Sequence, residues 1–450
     1  MRVIGLDIGT TTIGASVIDG KTGEVLCSKV EQNRSFIDGG ETFEKRQDPA
    51  LILEVASGLI DTLCREYTPV AGIGVTGQMH GIVYVDKDGQ AVSPLYTWQD
   101  GRGDQPYPGG KGSYVRTLSG KTGARLATGY GSVTHFYNRK NALVPASAST
   151  FCTIHDYVAM RLAGRTAPLM HATDAASFGL FDLVTGQFDD SAIKAAGMDP
   201  AEYPQVGGDY EELGRTKDGV PVYIAVGDNQ ASFLGSVSNA DNAVLVNVGT
   251  GSQVSLLSDR PVNDPVLETR PYMEGKYLLV GSSLCGGRAY AMLEQFFREM
   301  VTEAGFECKS LYPVLDRMTE GFEALPDRLK FNTRFSGTRQ NPDERGSVEN
   351  LGIHNFTPRY FAVGVIEGTV NELYDMLSGL PDLHPDVLVG SGNGVRKGET
   401  LRKMASMKFG APMQVPSHHE EAAYGAALCA LVGCGAATDM RAAQAIIRYN

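Results

Sequence analysis

The feature that most constrains the fold is a short pattern that occurs twice, half a chain apart. Residues 6–10 (LDIGT) form an apolar strand that runs into a Gly-Thr turn, and a second apolar strand follows at 13–18. Residues 246–251 (VNVGTG) repeat this order, with a second strand at 254–257. Strand–turn–strand hairpins are common singly, but each copy opens one half of the chain. The repeat therefore predicts two domains of related fold, 1–236 and 237–450.

The length and the order of segments agree with this division. A chain of 450 residues is longer than a single hydrophobic core usually supports. Asp48 and Pro49 form the cap and first turn of an apolar-periodic helix that ends near residue 66, and strands follow at 70–75 and 82–85. Strands mixed with helices of this length predict an α/β fold. Further segments are predicted as a strand at 386–389 and helices at 289–304, 399–407 and 420–432.

Composition and charge argue against several classes of protein. A net charge of −12 argues against a nucleic-acid surface, which needs a basic stripe, but leaves a phosphorylated ligand open. The seven cysteines are scattered without a C-x-x-C pair, which is typical of reduced thiols. No uninterrupted apolar run reaches the ~18 residues of a membrane span, and Asp7 stands where a signal peptide would be apolar. We therefore expect a cytoplasmic protein that does not bind a membrane or nucleic acid.

The chain has 54 glycines among 450 residues, an excess that needs an explanation. Glycine permits turns and lets the backbone approach a ligand closely. The pattern G-x-G-x-x-G at 72–77 lies inside a predicted strand and opens no helix, so it does not indicate a dinucleotide site. Glycine clusters at predicted strand ends are found at 5–14, 72–81, 227–235, 249–251, 286–287 and 390–394.

Two acids at strand ends are candidates for phosphoryl-transfer chemistry. Asp7, beside a Gly-Thr-Thr-Thr turn, could supply a carboxylate for Mg²⁺ while the turn donates hydrogen bonds to phosphate oxygens. The alternative is a solvated, capped turn. Asp228 follows the predicted strand 222–226 and precedes a helix, where it could take a proton from a substrate hydroxyl or simply cap the helix.

Three further segments carry groups suited to binding. Residues 78–80 (QMH) and 98–102 (WQDGR) add polar and aromatic groups directly after strands of the first half, and a tryptophan face can stack on a sugar. Residues 390–394 (GSGNG) lie between a strand and a helix, where glycines would let a flat ligand such as adenine lie against the backbone. A core tryptophan and an ordinary glycine-rich loop are the alternatives.

Taken together, these segments resemble the FGGY family of carbohydrate kinases, within the actin, hexokinase and heat-shock-chaperone ATPase superfamily. The resemblance extends over nearly the whole chain and implies two ribonuclease H-like domains with a cleft between them. The N-terminal domain would be the sugar-binding and catalytic one, and the C-terminal domain would bind nucleotide. The segments that carry the resemblance are DIGTT at 7–11, GQMHG at 77–81, DGR at 100–102, GD at 227–228, GTG at 249–251, GSG at 390–392 and EAAYGAA at 421–427.

Within the family, several segments are most similar to the sedoheptulokinases, notably YTWQDGR at 96–102 and TIHDYV at 153–158. Xylulokinases share the residues 78–81 and are the second choice. The chain departs from the family at GSGN (390–393), where GGGA is frequent, and at CGG (285–287), where sedoheptulokinases usually carry NGG. The first departure bears on the predicted adenine contacts of residues 390–393. The second bears on any role of residues 285–287.

The resemblance implies an ATP- and Mg²⁺-dependent kinase that phosphorylates the terminal hydroxyl of a free ketose. Asp228 would be the catalytic base, Asp7 would help hold Mg²⁺ through water, and Thr11 and Thr250 would face the β- and γ-phosphates from opposite domains. The residues expected to bind sugar are Gln78, Met79, His80, Trp98, Asp100 and Asn229. Those expected to bind ATP are Gly9, Thr10, Thr11, Thr12, Gly249, Thr250, Gly251, Gly390, Ser391, Gly392 and Asn393.

Two other classes of function are kept as alternatives: an actin-like or chaperone-type ATPase, and a sugar sensor without catalysis. Asp228 argues against the sensor, and the sugar-side segments argue against an ATPase that binds no sugar. The expected partners are a small sugar and ATP, and a homodimer is left open.

Overall fold

The computed structural model describes residues 1–110, 112–338, 341, 343–381 and 383–450. The chain forms two compact α/β units, so the predicted fold class is confirmed. The first comprises Met1–Ser238, Arg270–Lys276 and His418–Arg448, and the second comprises Asn239–Thr269, Tyr277–Ser417 and Tyr449–Asn450. Among the described residues, no helix combines the length and apolar character needed to cross a membrane.

The sheet of the first unit is built around a parallel pair. Its first three strands form an antiparallel meander, and Val70–Gly77 runs parallel to the first strand, Arg2–Ile8. Val226–Gly227 in turn runs parallel to the end of Val70–Gly77. In chain order the strands of this sheet are Arg2–Ile8, Thr12–Asp19, Val25–Gln32, Val70–Gly77, Glu212–Arg215, Pro221–Tyr223 and Val226–Gly227.

Helices pack against this sheet, and short two-stranded pairs form in the segments that connect its elements. The helices of the unit are Pro49–Glu66, Tyr114–Thr122, Gly131–Lys140, Ile154–Leu162, Ala172–Ala175, Asp190–Ala195, Asp228–Ser236, Glu421–Gly433 and Met440–Gln444. Its 3₁₀ turns are Gly101–Asp104, Ala176–Phe178 and Pro200–Glu202. The short pairs are Arg46–Gln47 with Leu95–Tyr96, Val83–Asp86 with Ala148–Cys152, Leu169–His171 with Gln205–Gly207, and Phe181–Asp182 with Gln187–Phe188.

The second unit repeats the arrangement of the first. Ala243–Val248, Ser252–Ser258 and Tyr277–Ser283 form an antiparallel meander, and Val387–Ser391 runs parallel to the first of them. The related folds predicted from the repeated hairpin are therefore confirmed. The remaining strands are Glu268–Pro271 and Met413–Gln414 at the sheet edges and the separate pair Lys330–Asn332 and Ser347–Glu349. The helices are Gly286–Glu303, Tyr312–Thr319, Phe322–Ala324 (3₁₀), Pro358–Leu377, Gly392–Lys397 and Glu399–Phe409.

The division into units does not follow a single cut after residue 236, because the helix Glu421–Gly433 packs on the first sheet. Gly5 and Gly74 on that sheet have no side chain, and a Cβ on either would overlap the carbonyl oxygens of Ala423 and Ala426, respectively. Glycine thus permits a helix to lie directly against strands. The division into a sugar-binding domain, 1–236, and a nucleotide-binding domain, 237–450, stays a prediction. The compact units, in contrast, are each made of segments that alternate along the chain.

Most predicted elements are present with small differences at their ends. Asp48 caps the helix Pro49–Glu66 by accepting a hydrogen bond from Ala50 N at 2.8 Å. The predicted strand 222–226 is interrupted, because residues 224 and 225 leave the ladder between Pro221–Tyr223 and Val226–Gly227. The segment 390–394 is not an open loop, since the strand Val387–Ser391 leads directly into the helix Gly392–Lys397.

Candidate active site

In the first unit, three neighbouring parallel strands bring polar residues to one edge of the sheet. Asp7 is paired in register with Thr76, and Thr76 with Val226. Gln78 lies two residues after Thr76 in the chain, and Asp228 lies two residues after Val226. The carboxyl ends of parallel strands meet at the same edge, which is where α/β sheets commonly bind ligands. The structure therefore brings Asp7, Gln78 and Asp228 to one edge of the sheet.

Asp7 lies in a carboxylate-rich environment that favours a cation. Burial, the largest cause, and the nearby charges of Asp228 and Glu420 together raise the pKa of its carboxyl to about 7. Among the described residues, Asp7 Oδ1 is buried without a hydrogen-bond partner. A divalent cation bound by oxygen ligands would offset this concentration of negative charge. Glu420, which sequence reasoning did not identify, comes from the segment 418–448.

Thr10, in the turn after the first strand, is joined to the sugar-side residues by hydrogen bonds. Its hydroxyl donates to Gln78 Oε1 at 3.2 Å and accepts from Trp98 Nε1 at 3.0 Å. Gln47 closes the network: its Nε2 donates to Thr10 O at 2.9 Å, and its Oε1 accepts from Gln78 Nε2 at 2.9 Å. Sequence reasoning missed Gln47, because nothing near it in the chain distinguishes it from any other buried glutamine.

The other residues of this turn are Gly9, Thr11 and Thr12, and they differ in exposure and in hydrogen bonding. Asn33 Nδ2 donates to the carbonyl of Gly9 at 3.0 Å, so Asn33 fixes the start of the turn. Thr11 is exposed, and Thr12 begins the second strand. Thr11 is thus available for a ligand, and the phosphate contacts of the turn stay a prediction.

Asp228 is the first residue of the helix Asp228–Ser236, here called the base helix, and Gly227 caps it. Burial raises the pKa of the Asp228 carboxyl, while the charges of His155 and Arg270 act in the opposite direction. The N–H of Gly227 donates to Thr173 Oγ1 at 3.1 Å, which fixes the turn into the helix. A carboxyl held here, with a pKa above its usual range, is suited to accept a proton.

Behind the base helix lies a buried polar cluster that sequence reasoning did not identify. His155 Nε2 is 2.9 Å from Asp174 Oδ1, and Asp156 Oδ2 accepts from Thr153 Oγ1 at 2.6 Å. One ligand atom each from His155, Asp156 and Asp174 lies within 4.8 Å of the others, a spacing compatible with a metal ion. Burial raises the pKa values of the Asp156 and Asp174 carboxyls well above the ordinary value of an aspartate. It lowers the pKa of His155.

Met79 and His80 lie next to the base helix and are held in defined positions. Met79 is buried, and a Cβ on Gly227 would lie 2.7 Å from its sulfur. His80 has a φ of 72°, in the left-handed region, and its Nδ1 donates to Ser177 O at 2.7 Å. Its ring stacks on Tyr130 with centroids 4.7 Å apart. Tyr130 and Ser177 were not predicted as site residues.

The segment 98–102 has an exposed end and a buried end. The side chain of Trp98 is 47% exposed, as a stacking platform requires. Asp100 is fully buried, and its carboxylate accepts from Arg102 Nε at 2.7 Å and from Lys45 N at 3.0 Å. These bonds give Asp100 a structural role, and its predicted contact with sugar stays a prediction, as does that of Asn229.

In the second unit, the turn after the strand Ala243–Val248 is fixed by the start of the next helix. Gly249 N donates to Gly251 O at 2.9 Å, Gly287 N donates to Gly249 O at 3.0 Å, and Arg288 N donates to Thr250 O at 3.0 Å. Thr250 itself is exposed. Residues 286–287 also need to be glycine, because a Cβ on Gly286 would lie 2.7 Å from Gly251 C and one on Gly287 would overlap Gly249 O.

The segment 390–393 lies beside the same strand. Asn247 Nδ2 donates to Ser391 Oγ at 2.8 Å, and Ser391 is buried. Gly392 has a φ of 79°, and a Cβ there would lie 2.6 Å from Val248 O. Gly390 is buried and Asn393 is exposed. The geometry requires glycine at 392 for packing as well as for conformation, and a contact with adenine stays a prediction.

Comparison with known proteins agrees with this arrangement. Residues 2–235 match the model of the FGGY family of carbohydrate kinases, N-terminal domain, and residues 244–434 match that of the C-terminal domain. The sedoheptulokinase of Mus musculus is 29% identical, over 95% of this chain and 97% of that protein. The xylulose kinase of Streptomyces coelicolor is 26% identical, over 100% of this chain and 90% of that protein.

Solved structures show the same fold. The crystal structure of xylulose kinase from Rhodospirillum rubrum superposes with a TM-score of 0.84 at 21% identity, covering 100% of this chain and 93% of that chain. The two-domain fold of the actin and hexokinase type expected from the resemblance is therefore confirmed.

Proposed function

Because the chain belongs to the FGGY family of carbohydrate kinases, we propose that it uses ATP to phosphorylate free sedoheptulose. Family membership makes it a phosphotransferase that acts on a sugar hydroxyl. The proposed product is sedoheptulose 7-phosphate, formed at the terminal hydroxyl of the sugar. The observation that carries the proposal is the convergence of Asp7, Gln78 and Asp228 at the ends of adjacent parallel strands.

In this proposal Asp228 accepts the proton of the terminal hydroxyl as its oxygen attacks the γ-phosphorus. The bond from that phosphorus to the β,γ-bridging oxygen breaks, and ADP leaves. A positioned general base contributes about 10²–10⁴-fold to such a step. Burial supports this role, because it raises the pKa of Asp228 and so makes the carboxylate a better proton acceptor. Phosphoryl transfer needs in-line positioning and charge neutralisation more than covalent assistance, so one base is sufficient.

Asp7 is proposed to hold Mg²⁺, with water molecules as further ligands. The residues present fit the ion, since Asp7 Oδ1 has no hydrogen-bond partner among the described residues and two further carboxyls, Asp228 and Glu420, lie near it. When bound, Mg²⁺ would neutralise charge on the phosphate oxygens. Thr11 in the first unit and Thr250 in the second are proposed to bind the β- and γ-phosphates, because both are exposed in their turns.

The choice of sedoheptulose rests on similarity to relatives and on the sugar-side residues. The similarity to the mouse sedoheptulokinase covers 95% of this chain. Trp98, Met79 and His80 are the proposed sugar contacts, with Trp98 as the exposed platform. Xylulose is the second candidate, favoured by the xylulose kinase of Streptomyces coelicolor, whose similarity covers the whole chain.

A substrate panel tests the proposal. ADP release should be measured with sedoheptulose, xylulose, ribulose, fructose and glycerol, with excess Mg²⁺ and with no sugar as the control. We expect the highest kcat/KM for sedoheptulose. A clear preference for xylulose would replace the proposed substrate, and no stimulation by any sugar would overturn the kinase activity itself.

The compartment and the oligomeric state are also proposed. We place the enzyme in the cytoplasm, because all seven cysteines are free in the structure, as is usual in a reducing compartment. A homodimer is testable by light scattering of the purified protein.

A further inference from the structure

One short segment of the first unit comes from the second half of the sequence. Arg270–Lys276, here called the strap, belongs to the first compact unit, although residues on both sides of it in sequence belong to the second. Such a placement has to be maintained by specific contacts, since the chain must leave one unit and return. The strap, whose first two residues end the strand Glu268–Pro271, contacts the helix that begins at Asp228 as well as Asp209, Tyr210 and Met440.

The strap packs on the base helix. Gln230, a buried residue of that helix, donates from Nε2 to Pro271 O at 3.0 Å. The ring of Tyr272 meets the ring of Phe233 edge-on, with centroids 5.7 Å apart. Both helix residues lie within two turns of Asp228. Movement of the strap would therefore move the start of this helix.

Arg270, the first residue of the strap, supplies a positive charge near Asp228. Its side chain is only 8% exposed. The charge of Arg270, like that of His155, favours the ionised form of Asp228 against the effect of burial on its pKa. A buried carboxylate is costly unless a positive group or hydrogen bonds stabilise it, and a base must be ionised to accept a proton.

Asp209 joins the other end of the strap to the residue that precedes Asp228. Its Oδ2 accepts from Glu274 N at 2.7 Å, and its Oδ1 is 2.7 Å from His171 Nε2. His171 Nδ1 is 3.0 Å from Thr173 Oγ1, which accepts from Gly227 N at 3.1 Å. If His171 donates from Nε2 to Asp209, its Nδ1 accepts from the Thr173 hydroxyl, and that hydroxyl oxygen accepts from Gly227 N. Each hydrogen bond then joins one donor to one acceptor. One carboxylate thus connects the strap with Gly227.

We propose that the strap positions the carboxyl of Asp228, with Arg270 as a nearby positive charge and Asp209 as its anchor. Arg270 and Asp209 are positioning residues, since they act on the reaction through Asp228. The inference rests on the proposed role of Asp228 as base. It assigns a function to residues far from the base in sequence that no strand-end pattern indicates.

Kinetics of three variants test the role of the positive charge of Arg270. Arg270→Ala should lower kcat by about tenfold or more, with the KM for ATP changed less than about twofold, because the base is affected rather than nucleotide binding. Arg270→Lys keeps the charge and should recover a large part of kcat. Lys194→Ala removes an exposed cation outside the strap and should leave kcat unchanged. A wild-type kcat for Arg270→Ala, or equal losses for the Ala and Lys variants when both are folded, overturns the proposal.

Hydrogen exchange tests the anchor independently of activity. Asp209→Asn retains the shape of the side chain but weakens the bonds to His171 and Glu274. The amides of residues 227–231 should exchange at least about threefold faster in this variant, and those of the helix Pro49–Glu66 should not change. Unchanged exchange at 227–231 overturns the anchor role. If wild-type protein shows no sugar-dependent ADP release, the proposed function fails, and hydrogen exchange still decides whether the strap holds the base helix.

Discussion

At the scale of single residues, the site is a set of carboxyls whose charge is controlled by burial and by a few cations. Asp7 and Asp228 could be chosen as candidates from the sequence, because Asp7 lies near the end of a short apolar strand and Asp228 follows one. Gln47 and Arg270 could not, since their importance comes from partners that lie 31 or more positions away in the chain. Sequence patterns report local geometry, and these contacts are made by packing.

Asp228→Asn is the most direct test at this scale. The substitution keeps the shape of the side chain but removes its basicity, so kcat should fall by about 10²-fold or more while sugar affinity stays within about threefold. Turnover is measured by ADP release and sugar affinity by calorimetry. Asp218→Asn, at an exposed acid, is the matched control and should behave as wild type. Full turnover in Asp228→Asn would exclude Asp228 as the base.

At the scale of elements, close packing between the sheet and a helix determines where strands and helices can lie. Helices with clear caps and periodicity, such as Pro49–Glu66, were predicted within a residue or two. The association of Glu421–Gly433 with the first sheet was not predicted, because an alanine-rich helix of 13 residues is buried on most sides and its sequence does not indicate its partner. Gly5 and Gly74 on the sheet make room for this helix, and their role can be recognised only from the structure, in which the helix lies against the sheet.

Gly74→Ala should test this packing. The added Cβ would overlap the carbonyl oxygen of Ala426, so the free energy of unfolding should fall by about 1–3 kcal/mol or more. Gly58→Ala is the matched control, because a Cβ there meets no atom within 4 Å and the position lies inside the helix Pro49–Glu66. The control should raise stability by about 0.5–1 kcal/mol. Urea unfolding followed by circular dichroism measures both, and equal stability of the two variants would contradict the packing argument.

At the scale of the whole molecule, two units of related topology are assembled from interleaved segments. The hairpin repeat was enough to predict the related folds, because the pattern recurs at the first strands of both sheets. It could not predict that residues 270–276 and 418–448 join the first unit. That assignment depends on tertiary contacts such as the one between Gln230 and Pro271.

Truncation should show that the first unit depends on its last segment. A chain ending at residue 417 lacks the helix that covers the first sheet, so scanning calorimetry should show the loss or a large decrease of the transition of that unit. A chain ending at residue 448 removes two residues that belong to the second unit and serves as the control. A native melting profile for the shorter chain would show that the first unit is complete without this helix.

The hydrogen bond between Trp98 and Thr10 has a practical consequence for spectroscopy. Trp98 is the sole tryptophan of the sequence, its indole is about half exposed, and its N–H is bonded to the turn that follows the first strand. Indole emission changes with polarity and hydrogen bonding around the ring. The protein therefore contains a single tryptophan that is itself a proposed sugar contact and is bonded to the turn proposed to bind phosphate, and ligand titrations can be followed by its emission without a label.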